Sequence, residues 1–214
     1  MIRQKCFRFE TMAWLVVSLI GALQIGCDLN GNTPSSVVAG PHGSERLKNI
    51  ELAALDGKRL DILPREHAAT VFLFARTDCP ISNRYAPTVR ALVEEFSSRD
   101  VAFYMVYVNP KQSSDKIRAH QEAYRYPCSA VRDDTHRLVQ QLGVRVTPEA
   151  VILDQSGRVA YRGRIDDRFV DFGKTRQAPT RNDLQLALQE VLAGRDVKVP
   201  TTKAIGCFIA DLNR

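Results

Sequence analysis

The run ATVFLFA, residues 69–75, constrains the fold more than any other stretch of this chain. It is uncharged, β-branched and aromatic, and far shorter than a membrane span. Such a run reads as a strand buried on both faces in the middle of a sheet. VAFYMVYV, which follows some 25 residues later, has the same character. Helical patterns lie between and beyond these runs. ISNRYAPTVRALVEEFSSR puts Val89, Leu92, Val93 and Phe96 at helical spacing, and SSDKIRAHQEAYRY fits a helix with Ser114 near its start. DDTHRLVQQLG fits a helix capped by Asp134 or Thr135 and closed by Gly143, and NDLQLALQEVLAG is amphipathic up to Gly194. LKNIELAALDGKRLDI reads as a hairpin turning at Asp56-Gly57, while AVILD and RVAYRGR are strands joined by Gln155-Ser156-Gly157. The alternation predicts an α/β fold, a central mixed sheet flanked by helices on both faces, entered through an N-terminal β-hairpin.

A chain of 214 residues holds one domain of ordinary size plus tails. With 44% hydrophobic and 25% charged residues it has a globular composition rather than that of a disordered chain. The net charge of +6 arises from 30 Lys and Arg spread along the chain, with acids among them in RDDTHR and RIDDR. No block of like charge or nucleic-acid motif accompanies it, so no nucleic-acid partner is expected.

The N-terminus points elsewhere. Arg3, Lys5 and Arg8 precede the uncharged run TMAWLVVSLIGALQIG, which is shorter than the roughly 20 residues of a comfortable membrane span. A basic start, a short apolar centre and small residues at its end describe an export signal, with an uncleaved membrane anchor as the alternative. LQIGC resembles the lipobox of bacterial lipoproteins, which makes Cys27 the candidate lipid-attachment residue; Leu23 stands one place upstream of the usual pattern, and Gln24 takes the aliphatic position. A rival cleavage site follows Val37-Val38-Ala39. The resulting organisation is a signal or anchor over 1–27, a Gly/Asn/Ser/Pro-rich linker over 28–46, a domain over 47–199 and a tail over 200–214. The expected location is the cell envelope, with the membrane met through the N-terminus.

Five cysteines are present, and the domain and tail hold Cys79, Cys128 and Cys207. Cys79 stands at the turn from the central strand into a helix. Free amide N–H groups and the positive end of the macrodipole favour thiolate over thiol there, and only the thiolate is nucleophilic. Arg76 adds to this effect and Asp78 opposes it. Pro80 suits a first helical turn.

ATVFLFARTDCPISNRYAP resembles the thioredoxin active site, where a strand leads into Cys-x-x-Cys and an Ala-Pro follows. Cys79 matches the first cysteine, Ser82 stands in for the second, and Ala86-Pro87 matches the Ala-Pro. GVRVTPEAVILD resembles the segment bearing the cis-proline, which implies that Pro148, with Thr147 before it, faces Cys79. The resemblance spans roughly 47–194 and implies a thioredoxin fold. LDGKRLDI and VRDDTHRLVQQLGVRVTPEAVILDQSGRVAYRGRIDDR resemble the redoxin and AhpC/TSA (peroxiredoxin-like) branch. In the peroxidase register of that branch, P-x-x-x-T/S-x-x-C, this chain reads Ala75, Cys79 and Ser82, so a serine occupies the peroxidatic place.

The resemblance implies a thiol oxidoreductase: the Cys79 thiolate attacks a disulfide or oxidised sulfur of a protein or small molecule and forms a mixed disulfide. Release then falls to an external thiol or to Cys128 or Cys207 as resolving cysteine. Cys128 reads as core and Cys207 lies in the tail, so an external thiol is the favoured route. Arg164, Asp166 and Arg168, in GRIDDR, are candidates to line the cleft, with surface ion pairs as the alternative. His136 reads as a surface residue at a helix start. A copper site like that of thioredoxin-fold copper chaperones needs a second cysteine four residues after the first, and Asn83 stands there, so no metal and no other cofactor is expected. The alternatives are a divergent reductase of hydroperoxides and a non-catalytic binding module.

Overall fold

The computed structural model describes residues 46–210. The export signal, Cys27 and all but the last residue of the expected linker lie outside the described residues.

The hairpin forms as β1 (Ile50–Ala54) and β2 (Arg59–Ile62). The apolar runs become β3 (Ala69–Ala75) and β4 (Val101–Tyr107). Between them lie α1 (Pro80–Arg84) and α2 (Ala86–Phe96), and α3 (Ser114–Tyr124) follows. Then come β5 (Ser129–Arg132), α4 (Arg137–Leu142), β6 (Val146–Thr147), β7 (Glu149–Asp154) and β8 (Val159–Gly163). A small hairpin of β9 (Phe169–Asp171) and β10 (Lys174–Thr175), α5 (Asp183–Leu192) and the short β11 (Cys207–Phe208) complete the fold.

Seven strands make one sheet in the order β2-β1-β5-β4-β3-β7-β8. β3 and β4 run parallel and lie inside, while β7 pairs antiparallel with β3. This is the mixed sheet of the thioredoxin fold. The two-residue period of β3 sorts its side chains between two cores. Val71 and Leu73 join Val89, Leu92 and Phe96 of α2 and Leu184 and Leu188 of α5. Phe72 and Phe74 point the other way, to Leu138, Val139 and Leu142 of α4. All seven residues of β3 are buried, as its uncharged sequence requires.

Local details depart from the sequence reading in four places. The helix after Cys79 is broken at Tyr85. Pro87 lacks the N–H that would close the turn onto Asn83, so the ladder is interrupted there. Ser113, one residue earlier than expected, caps α3 through its hydroxyl, which accepts from the Lys116 N–H at 3.3 Å. The cap position of α4 is His136, in the left-handed region at φ 56°, rather than Asp134 or Thr135. Its first turn is served instead by Asp133, whose carboxylate accepts from the Val139 N–H at 2.9 Å. His136 is also not a surface residue: it is 7% exposed, and its Nε2–H donates to the Val108 carbonyl at 2.6 Å.

The segment beyond 200 folds onto the domain. The Thr202 N–H donates to the Arg162 carbonyl and the Arg162 N–H to the Pro200 carbonyl, and β11 pairs antiparallel with β6, Cys207 opposite Thr147. Ile209 is 6% exposed in the second core. Burying a side chain of that size stabilises by about 1.5–3 kcal/mol, which outweighs what a two-residue strand pairing supplies. Among the described residues no helix is long and apolar enough to cross a membrane.

Candidate active site

The C-terminal end of β3 delivers Cys79 to the start of α1. Its backbone is extended (φ −90°, ψ 108°), and Pro80 opens the helix behind it. Opposite stands the peptide bond Thr147–Pro148, which is cis. The Cys79 Sγ–H donates to the Thr147 carbonyl at 3.0 Å, so sequence-distant Cys79, Thr147 and Pro148 meet at one point. Cys207 completes the group, with its Sγ 2.7 Å from that of Cys79. Only a small shift separates the two thiols from a disulfide, whose S–S distance is about 2.05 Å.

Burial of Cys79 opposes the charged form of its thiol. The Cys207 thiol, the Ser82 hydroxyl and the N–H groups of Ser82 and Cys207 together outweigh burial, and the Cys79 pKa falls below its ordinary value. Ser82 is 3% exposed and its buried Oγ has no hydrogen-bond partner, which leaves the hydroxyl free to turn toward the Cys79 sulfur. Cys207 moves the opposite way. Burial and then its hydrogen bond to Cys79 push its pKa up to about 12. Of the two thiols Cys79 is thus the more acidic and Cys207 the less, with their sulfurs in direct contact. Cys128 takes no part in this contact. It sits in the first core beside Tyr126 and Phe103, and burial raises its pKa to about 11.

Arg76 grips Asp78 through two bonds, at 2.8 and 3.1 Å, and donates to the Phe208 carbonyl at 3.5 Å. It thus ties the Cys79 turn to the tail. Arg164, Asp166 and Arg168 hydrogen-bond neither sulfur. Arg164 pairs with the buried Asp183 at 2.6 Å. Asp166 accepts from the Tyr85 hydroxyl at 2.7 Å and lies 3.8 Å from Arg168. These residues brace the loop after β8 against α2 and α5.

A polar chain beneath the site was not read from the sequence. Asn83 donates to the Thr77 carbonyl at 3.2 Å and accepts from His120 Nε2–H at 2.8 Å, while His120 Nδ1 accepts from the Tyr107 hydroxyl at 2.8 Å. Gln112 bonds the Thr77 hydroxyl at 2.6 Å. The chain fixes the turn that carries Cys79. The signal was present: Ile117, His120 and Tyr124 follow the i, i+3, i+7 pattern of one helix face, which places a histidine among apolar side chains. His120→Ala should cost about 2–3 kcal/mol, because Asn83 and Tyr107 each lose a buried partner; the urea midpoint measures it. Burial also lowers the His120 pKa. The unfolded chain therefore takes up this proton first, and stability falls as pH drops below about 6.5. That component of the slope should vanish in His120→Ala.

Among the described residues no three His, Cys, Asp or Glu side chains come together as a metal site.

Residues 44–162 match the family model described as AhpC/TSA family. The chain belongs to the AhpC/TSA family. Solved structures share its thioredoxin fold. A hypothetical protein of Sinorhizobium meliloti 1021 is 23% identical at a TM-score of 0.67, covering 77% of this chain and 91% of its own. An uncharacterized conserved protein of Geobacillus kaustophilus is 23% identical at a TM-score of 0.68, covering 79% and 92%. The thioredoxin domain of a thiol-disulfide oxidoreductase from Bacteroides vulgatus is 12% identical at 0.52, covering 69% and 96%. Among curated proteins none matches. In this AhpC/TSA member a serine stands at 82, and a cysteine from the tail lies beside Cys79.

Proposed function

We propose that this AhpC/TSA protein is a thiol–disulfide oxidoreductase of the cell envelope that works with two cysteines, Cys79 and Cys207. The observation that carries the reading is the 2.7 Å approach of the Cys79 sulfur to that of Cys207, with Cys79 the more acidic thiol of the two. It favours internal release over the external thiol expected from the sequence. The basic-then-apolar N-terminus supports the location and a membrane anchor.

The cycle balances as follows. The Cys79 thiolate attacks a disulfide of a protein or small-molecule partner; the partner's S–S bond breaks, a bond to Cys79 forms, and one partner thiolate leaves. Cys79 is then neutral, which removes the hydrogen bond and charge that added to the effect of burial on Cys207, and its pKa falls. Cys207 loses its proton to water and attacks the Cys79 sulfur, which forms the Cys79–Cys207 disulfide and frees the second partner thiolate. The partner gains two electrons and the dithiol loses them; an external thiol reductant restores it. Ser82 takes no covalent part and acts as a hydrogen-bond donor to the thiolate.

Treating the reduced full chain with one equivalent of a small disulfide, then alkylating and mapping peptides, should yield a Cys79–Cys207 link with Cys128 alkylated. Hydroperoxide should be consumed no faster by the protein than by Cys79→Ser. A Cys79 inert to disulfides and oxidants alike would leave the fold as a binding module.

A further inference from the structure

The pair leaves a problem of access. Cys79 is 1% exposed, so no outside disulfide reaches its sulfur in the conformation described. The cover is the chain's own tail. Backbone bonds of Pro200 and Thr202 to Arg162 hold the tail at one end, and the Ile209 N–H donates to the Arg145 carbonyl at 3.0 Å at the other. Ile205 packs on the first core and Ile209 sits in the second. Between these anchors the chain bends at Gly206, and Cys207 and Phe208 pair with β6, Cys207 opposite Thr147. Gly206 lies so close that a Cβ would stand 2.3 Å from the Thr147 carbonyl oxygen and 3.1 Å from Pro148 N. Both are backbone atoms that cannot give way, so the contact is built for a residue without a side chain. An extended strand with a sulfur aimed at Cys79 is the geometry of a polypeptide substrate caught at the moment of exchange.

We infer that the β6 edge in front of Cys79 is a site for an extended polypeptide disulfide, and that residues 203–210 are its internal occupant, which a substrate must displace before Cys79 can attack. The inference rests on the exchange reading above. Strand pairing would hold the substrate backbone, as it now holds the tail. The tail acts twice: as a strap while Cys79 is reduced, and as the source of the resolving sulfur once the substrate is linked.

The test isolates the first attack. In the full chain carrying Cys207→Ser the strap remains and resolution is removed. Gly206→Val added to it drives the strand off β6, and loss of hydrogen-exchange protection at the Ile209 amide reports that release. The probe is a symmetric disulfide of a short extended peptide, and the readout is the second-order rate constant for the mixed disulfide at Cys79. Substrate attack breaks the peptide S–S bond, forms one S–S bond to Cys79 and releases one peptide thiolate. Displacement of the strap should raise the rate constant about tenfold or more, the factor that one buried anchor of this size is worth. Ile209→Asp on the same Cys207→Ser background should do the same, which guards against a defect peculiar to Gly206→Val. Equal, non-zero rate constants with the strand released would overturn the strap and leave the exchange reading intact. No mixed disulfide in any of the variants, with the sheet amides still protected, would overturn both.

Discussion

Cys79→Ser should lower disulfide exchange by a factor on the order of a thousand or more, and Cys207→Ser should block turnover at a different step. The first substitution removes the nucleophile. A hydroxyl in its place is not ionised near neutral pH, so no mixed disulfide forms. The second leaves the nucleophile but removes the sulfur that releases the partner. Cys207→Ser should thus give stoichiometric mixed disulfide and then stop, unless an external thiol is supplied. Rapid quenching with gel analysis separates the two: no adduct in Cys79→Ser, one adduct per chain in Cys207→Ser. Rapid multiple turnover by Cys207→Ser without added thiol would sink the two-cysteine cycle.

The pH dependence adds a check. The rate of first attack should rise with the thiolate fraction and level off below the roughly 8.5 of a free thiol. Replacing Cys207 by alanine deletes the strongest of the donors that favour the Cys79 thiolate, so the midpoint should move up. An unmoved midpoint would mean that Ser82 and the helix amides suffice alone.

Much of this architecture was legible because burial leaves a pattern. ATVFLFA has no charge along seven positions and became the central strand, buried at every one. The Cys79 turn and the cis peptide at Pro148 were legible through resemblance, since local motifs fix local backbone. What escaped was long-range or polar. Cys207 is 128 residues from Cys79 and reaches it through a two-residue strand that carries almost no periodicity. The only local hint was Gly206, a residue that tolerates close backbone approach. His120 escaped because a histidine on an apolar helix face does not announce its partners; Asn83 and Tyr107 come from different elements. His136 was misread for a similar reason: its bond to Val108 is made across the fold, and nothing near it in sequence required burial.

The GRIDDR segment shows how the same charges divide between chemistry and architecture. Asp183 is the centre of its bracing: one carboxylate oxygen accepts from Arg164 Nε and the other from Arg181 Nε, each at 2.6 Å. The Asp183 side chain is 2% exposed, Arg164 30% and Arg181 45%. Asp183 also opens α5, where a negative charge suits the helix dipole, and α5 supplies Leu184, Ala187 and Leu188 to the first core. Asp183→Ala should therefore cost about 3 kcal/mol, near the low end for breaking a buried pair because both arginines can turn toward water. Arg181→Ala should cost less than about 1 kcal/mol, since nearly half of its side chain is already solvated. Arg164→Met keeps the apolar stem and should fall between them, with Arg181 left to satisfy the carboxylate. Denaturant midpoints rank the three. The same variants decide whether Arg164 serves the cleft: a bracing residue lowers the midpoint and leaves the Cys79 pKa and first-attack rate unchanged under conditions where the protein is folded. A shifted pKa in Arg164→Met at an unchanged midpoint would return that arginine to the active site.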